Sequence, residues 1–408
     1  MSEHHMNTIQ AFFLRLIRVA RPTSYVNTPA NDESYETAEE RARQIDARAL
    51  ELAYASQWKL MWIKFKRHKV AVVAGVFILL AYLLAIFADF IGPYDPNERF
   101  TDFALAQPTQ VSFVNEDGQF SFRPYVSGYE RKIDEETFQR YYVANPDERY
   151  PVRFFVRGSE YKLFGFIPAE LRLFGAGEGK IFVFGTDRHG RCIFSQILHG
   201  GRISLSIGLI GVTLSFIIGI IIGGISGYFG GIIDNLLQRL IEIMRSFPTL
   251  PLWMALGAAL PIGWPVMRLY FAITILLSLV GWTTMARVVR GKFLSLREED
   301  YVMAADMAGA SSRRIIFRHM LPSFISHLVA AASLAIPQMI LGETALSFLG
   351  LGLRRPAVSW GVLLQQAQSV HAIVFSPWLL IVVFPVILTV LAFNFFGDGL
   401  RDAADPYG

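Results

Sequence analysis

The chain has 408 residues, 53% of them hydrophobic, with only 18% charged where a soluble globular chain carries about a quarter. The net charge of +4 is accounted for by basic flanks of apolar runs rather than by a nucleic-acid surface. A single cysteine, Cys192, excludes an intramolecular disulfide and a cysteine-rich metal site.

Residues 1–69 read as a polar cytoplasmic segment. Within it, Ala11–Ala20 is basic and amphipathic, suited to a membrane surface or to a transient helix. Glu36–Trp58 is free of Gly and Pro and predicts a helix. Lys59, Lys64, Lys66, Arg67 and Lys69 follow, and the apolar run Val70–Ile91 is long enough to span a bilayer. It is read as a retained first span (70–92) and not as a cleaved signal. Its trailing flank holds Arg99 among Asp95, Glu98 and Asp102, an asymmetry that puts the N-terminus in the cytoplasm.

Residues 93–201 form a polar insert, expected outside the cytoplasm and mixed α/β. Ile133–Val143 predicts a short helix. Tyr150–Phe166 predicts a hairpin turning at Gly158–Ser159. The remainder, 202–400, contains further spans. Ile203–Ile225 is glycine-rich, with Gly219 and Gly223 at the spacing of close helix packing. Ile232–Leu260 carries Asp234, Arg239, Glu242 and Arg245 in its first half. Leu269–Ala286, His327–Leu346 (interrupted by Pro337) and Pro377–Phe396 complete the set. The expectation is an all-α membrane protein with about six transmembrane helices and a tail at 401–408. The cytoplasmic loop 287–325 is rich in arginine, as orientation demands; Arg354 and Arg355 run against that rule.

Intramembrane charges are costly and often functional. Glu242 is within reach of Arg239 or Arg245 on one helical face, which suits a pair lining an inner vestibule. Glu343 is solitary and is a candidate for the translocation path or for a hydrogen-bonded structural role. No HExxH spacing or Ser/His arrangement indicates a metal or catalytic site. Gly175–Lys180 lacks the first glycine and the Ser/Thr of a phosphate loop.

The stretch Leu294–Pro322 is a loop by topology, yet Arg297–Ala308 has helix composition, with Glu298, Glu299 and Asp300 in its first turn. Gly309 suits a left-handed helix end, Ser311 or Ser312 a new cap, and Pro322 a break. The pattern Ala304-Ala305, Gly309, Leu321-Pro322 resembles the EAA loop of ABC importer permeases. Gly185–Arg191 and Gly201–Ser204, Ser347–Gly352 with Ser359–Gly361, and Asp398–Ala403 with Asp405-Pro406 resemble the dipeptide/oligopeptide/nickel permease family, second type. Met303 stands where the pattern has Glu, and Cys192 where the family usually has Asp.

The resemblance implies a type I ABC importer permease fold for 59–92 and 181–408. It implies a non-catalytic importer subunit of a bacterial or archaeal inner membrane, with di- or oligopeptides as the first expectation for substrate. Nickel, oligosaccharide or peptide antibiotic are alternatives. It also implies a second homologous permease, two ATPase subunits that bind the ATP and Mg, and an extracytoplasmic solute-binding protein, with no cofactor in this chain. Coupling to the ATPases falls to Arg297, Glu298, Asp300, Tyr301, Ala304, Ala305, Gly309, Ala310 and Pro322. A membrane-embedded enzyme would instead require a cluster of catalytic side chains at one membrane depth, which the sequence does not offer, and an ion-driven transporter would not need this loop.

Overall fold

The computed structural model describes residues 57–114, 120–133, 135 and 140–404. Ala11–Ala20, nearly all of the predicted helix Glu36–Trp58, and 405–408 lie outside the described residues.

Helix α1 (Gln57–Arg67) leads into α2 (Lys69–Ile86), whose first turn is capped by His68, its Nδ1 accepting the Ala71 N–H at 3.1 Å. In α2 the small residues Ala71, Ala74 and Ala85 are buried while Val73, Leu79, Leu80 and Leu84 are exposed. That is the reverse of a soluble amphipathic helix: small side chains admit neighbouring helices and large apolar ones face lipid. A short α3 (Ala88–Ile91) ends the segment.

Among the described residues, five helical segments are long and apolar enough to cross a membrane: Lys69–Ile86, Ile193–Phe229 (α4), Val266–Leu296 (α7), Ile325–Phe348 (α11) and Pro377–Ala404, which ends in α14 (Val383–Ala404). The predicted span Ile232–Leu260 is instead broken into α5 (Gly231–Ser246) and α6 (Thr249–Ala258). Pro248 disfavours helical geometry at Phe247, which lies at φ −85° and ψ 133°. The four charges make α5 amphipathic, and the ten residues of α6 reach only about 15 Å. Six predicted spans thus become five continuous ones and a broken pair.

The core is built on α4 and α7. Gly223 lies so close to α7 that a Cβ there would strike the Ala286 carbonyl. One at Gly227 would sit 2.6 Å from the Phe293 Cβ. The glycine spacing therefore sets the helix approach. Helix α14 packs between α2 and α11, with Gly399 against Ala71 and Gly397 against Leu334.

The insert emerges between α3 and α4. Strands β1 (Val111–Val114), β2 (Phe120–Ile133) and β3 (Arg140–Pro151) form an antiparallel sheet in that order; β4 (Arg153–Leu163) and β5 (Ile167–Gly175) form a separate hairpin. The predicted helix Ile133–Val143 is not formed: Ile133 ends β2 and Arg140–Val143 begin β3. Tyr141, Tyr142 and Val143 favour a pleated surface, and Tyr142 is buried with its hydroxyl donating to the Asp102 carbonyl at 2.6 Å. The second hairpin turns at Phe164–Gly165–Phe166, with Gly165 at φ 83°, and not at Gly158–Ser159. Gly158 instead marks a register shift between Arg157 and Tyr161, where the side chain of Arg172 lies against it. The insert closes at its base: Thr109 N–H donates to the Phe182 carbonyl at 2.9 Å and Phe182 N–H to Thr109 Oγ1 at 2.7 Å.

Candidate coupling surface and central cavity

Beyond the C-terminal end of α7, at the end of α4 opposite the sheet, lies α8 (Asp300–Met307). It is shorter than the predicted helix over 297–308, because Arg297 still caps α7 and Glu299 serves as the N-cap of α8. Val302 is buried in a cluster with Val289, Phe293, Ile315, Met320 and Phe324, and Ala305 and Ala310 pack on its edge. Tyr301, Met303 and Ala304 are exposed, and Met307 is 85% exposed. The helix ends in a Schellman motif: Gly309, at φ 75°, donates to the Asp306 carbonyl at 2.9 Å, and Ala310 N–H donates to the Ala305 carbonyl at 3.0 Å. Ser311 occupies the next N-cap position but makes no side-chain cap bond; α9 (Ser312–Arg314) continues through a π-helical turn, Ile315–Met320, into α10 (Leu321–Ser323), which contains Pro322.

Helix α5 is tied to this platform by one ion pair. Arg290 on α7 grips Asp234 through Nε and Nη2, both at 2.5 Å, and Ser226 Oγ donates to the same carboxylate at 2.5 Å. The loop-facing Arg297 donates to the Tyr228 carbonyl at 3.3 Å. Further along α5, Glu242 pairs with Arg239 at 2.8 Å on the surface, one of its two predicted partners.

A cavity of about 310 Å³ opens between α4, α5, α6, α7 and α11. Its polar lining includes Ser215, Arg245, Thr249, Thr284 and Gln338, and Trp253 forms part of its wall. Arg245 donates to Thr284 Oγ1 at 3.0 Å. The Trp253 Nε1 is buried without a hydrogen-bond partner. Of the three residues suggested for a translocation path, Arg245 lines this cavity; Glu242 and Glu343 do not.

Glu343 on α11 has no exposed surface. Its Oε1 accepts from Ser347 Oγ at 2.7 Å and Ser359 Oγ at 2.6 Å, and its Oε2 from Ser204 Oγ at 3.0 Å. Each serine in turn accepts a backbone N–H: from Leu353 at 2.9 Å, Val362 at 3.3 Å and Trp360 at 3.2 Å respectively. The two glycine-containing motifs wrap this carboxylate. A Cβ on Gly352 would sit 2.6 Å from Ser347 Oγ, and one on Gly361 would sit 2.7 Å from the Thr344 carbonyl. Helix α12 (Trp360–Gln365) starts here and is followed by α13 (Val370–Phe375).

The motif Gly185–Arg191 forms a second buried node. Asp187 accepts from His189 N–H at 2.8 Å, Arg191 N–H at 3.0 Å and Arg191 Nε at 2.8 Å, with Arg355 at 3.6 Å. Arg355 also donates to Gln196 Oε1, and burial lowers its guanidinium to about 10. Arg355, one of the two arginines that run against the charge rule, is therefore held by a buried carboxylate. Cys192 precedes α4 fully buried, and burial pushes its thiol up.

Two family models match. "N-terminal TM domain of oligopeptide transport permease C" covers residues 56–108, and "binding-protein-dependent transport system inner membrane component" covers 219–407. The oligopeptide transport system permease protein OppC of Haemophilus influenzae is 44% identical over 224 residues, 55% of this chain and 70% of that protein. The dipeptide transport system permease protein DppC of Bacillus subtilis is 38% identical over 225 residues, 55% of this chain and 68% of that protein. The chain belongs to the oligopeptide/dipeptide permease family of ABC importers. A methionine ABC transporter, MetNI, in an inward-facing conformation superposes with a TM-score of 0.41 at 19% identity, over 52% of this chain and 96% of that one.

The permease is a multi-pass inner membrane protein and a transport subunit. Its family works with an ATPase component and a substrate-binding component. Among the residues singled out in its 294–322 loop, Arg297, Glu298, Asp300, Tyr301, Ala304, Gly309 and Pro322 are exposed, while Ala305 and Ala310 turn toward the buried base. Sequence reasoning missed the Asp234–Arg290 pair and the three serines around Glu343. The local signal for the latter was their place in the glycine motifs, Ser347 and Ser359 opening theirs and Ser204 closing Gly201–Ser204.

Proposed function

We propose that this permease forms one half of a pore for di- or oligopeptides, paired with a second homologous permease. Two ATPase subunits bind ATP and Mg below, and a solute-binding protein delivers substrate from the far side. The N-terminus and the 294–322 loop are cytoplasmic. The sheet insert faces outward and is positioned to meet the binding protein.

The observation that carries this reading is the form of α8. It presents Tyr301, Met303 and Met307 outward on a base locked by Val302 and Ala305, and it continues directly from α7. A displaced ATPase would push a rigid element joined to the helices that line the cavity. A partner drives such a switch only if it binds the two permease conformations with different affinity. The peptide assignment is supported by the names of the relatives, and the orientation by the Lys/Arg-rich α1–α2 junction and α7–α8 end. The residues assigned to coupling are the nine named above. Arg245 is the one earlier candidate that suits the transport path, while Glu343 fits the structural role.

The test is co-purification of the tagged permease from detergent-solubilised native membranes, beside a Gly309→Val variant. Recovery of two ATPases and a second permease, reduced in the variant, is expected. Recovery of the chain alone, unchanged by the substitution, would falsify the reading.

A further inference from the structure

The β4–β5 hairpin carries an apolar load that its own fold does not bury. Phe154 and Phe155 are each 63% exposed, Phe164 52% and Phe166 73%. A two-stranded ribbon has no second layer to cover them. Phe155 and Phe164 both adopt φ 55°, a left-handed conformation that is strained for an aromatic residue. That backbone turns their rings onto the end of the first span: Phe155 meets Phe90 at 6.3 Å and Phe164 meets Phe87 at 5.8 Å.

The depth of the hairpin is fixed by Arg172. This side chain is 1% exposed, and its Nη1 donates to the carbonyls of Asp89 at 2.9 Å and Gly92 at 3.0 Å. Its Nη2 donates to Ser159 Oγ at 2.9 Å, within the register shift of β4. The hairpin is thereby bolted to the chain three to six residues beyond Ile86, the last residue of the apolar helix. Aromatic side chains at that level belong to the membrane–water interface.

Between the hairpin and α2–α3 runs an open groove of about 540 Å³, lined by Leu83, Leu84, Phe87, Phe90, Leu163 and Leu173 among others, with no polar wall. It is continuous with the lipid-facing side of α2, where Leu79 is 60% and Leu80 52% exposed. We propose that the β4–β5 hairpin lies in the phospholipid leaflet on the sheet side, its phenylalanines at the interface and an acyl chain filling this groove. The exposed Arg153, Arg157 and Lys162 of β4 stand at headgroup level. The lipid is preferred over a protein partner because the groove opens onto a surface that already faces acyl chains.

The test places single nitroxides at Phe166→Cys, Leu173→Cys and, on β2, Glu130→Cys, in the assembled transporter in phospholipid nanodiscs. The native Cys192 has no exposed surface to label. Collisions with oxygen, which concentrates among acyl chains, are compared with those of a water-soluble nickel chelate. Oxygen is expected to dominate several-fold at 166 and 173, and the chelate at 130. A label at 166 that behaves like the one at 130 overturns the proposal, as does one shielded from both relaxants, which means a protein covers the hairpin. A shielded 173 beside an oxygen-exposed 166 removes the acyl chain from the groove. Should Phe166→Cys fail to assemble, Ile167→Cys reports the same level.

Discussion

Arg290 and Asp234, 56 positions apart, meet in a two-pronged ion pair with both arginine nitrogens at 2.5 Å from the carboxylate oxygens. The pair fastens the amphipathic α5, which carries the cavity-lining Arg245, to the helix that leads into α8.

Replacing Asp234 with Asn removes a charge-assisted contact of about 1.5–3 kcal/mol, discounted because the arginine is 30% exposed. The apparent melting temperature in detergent should fall. Arg290→Lys keeps the charge but loses the fork, so it should lie between wild type and Arg290→Ala. Equal loss in Lys and Ala variants would show that the fork is immaterial.

At Gly309 a Cβ would meet no atom within 4 Å, so the demand is conformational and not steric. A β-branched residue in the left-handed region costs about 1–2 kcal/mol, whereas Asn tolerates it. Uptake assays should therefore rank Gly309→Asn near wild type and Gly309→Val well below it, with Gly309→Asp between. Identical losses in all three would point to a steric contact with a partner.

Glu343→Gln keeps the shape of the buried carboxylate but weakens its three serine bonds, at a cost of about 1–3 kcal/mol. Uptake should decline only in proportion to folded protein, with an unchanged KM. Glu343→Ala orphans the hydroxyls and should prevent stable purification. A changed KM at full stability in the Gln variant would return Glu343 to the transport path.

Gly223→Val drives a side chain into the Ala286 carbonyl on α7. Overpacking of this kind costs about 1–3 kcal/mol or more. Expression of a correctly assembled transporter should fall sharply, whereas Gly263→Ala, which meets nothing within 4 Å, should be silent.

Burial that pushes the Cys192 thiol up also removes the thiolate that maleimides attack. Native permease should remain unlabelled at neutral pH and label fully in denaturing detergent. Rapid labelling of the native protein would show that the start of α4 opens.

What could be read from the sequence was local. The spans are written in long apolar runs, and the α8 loop in an acidic first turn followed by Gly309, four positions past the Ala304-Ala305 pair. The break at Phe247 was also written, in Pro248, but the apolar average on either side outweighed one residue. The hairpin turn was misplaced because Gly158–Ser159 has turn chemistry, and only the distant Arg172 reveals that it makes room for a buried guanidinium. Likewise Ser204, Ser347 and Ser359 are unremarkable singly. Their convergence on Glu343 depends on helices brought together by the fold, which no period or spacing encodes.

Thr109 and Phe182 hydrogen-bond to each other where the insert leaves and rejoins the core. The 72 intervening positions, 110–181, thus start and finish at neighbouring points. Chain of almost any length can be threaded through such a gate without pulling the spans apart, since closure entropy grows only slowly with loop length. The inserted module is therefore interchangeable: a short turn, or a different domain, could be spliced there while the transport machinery kept its geometry.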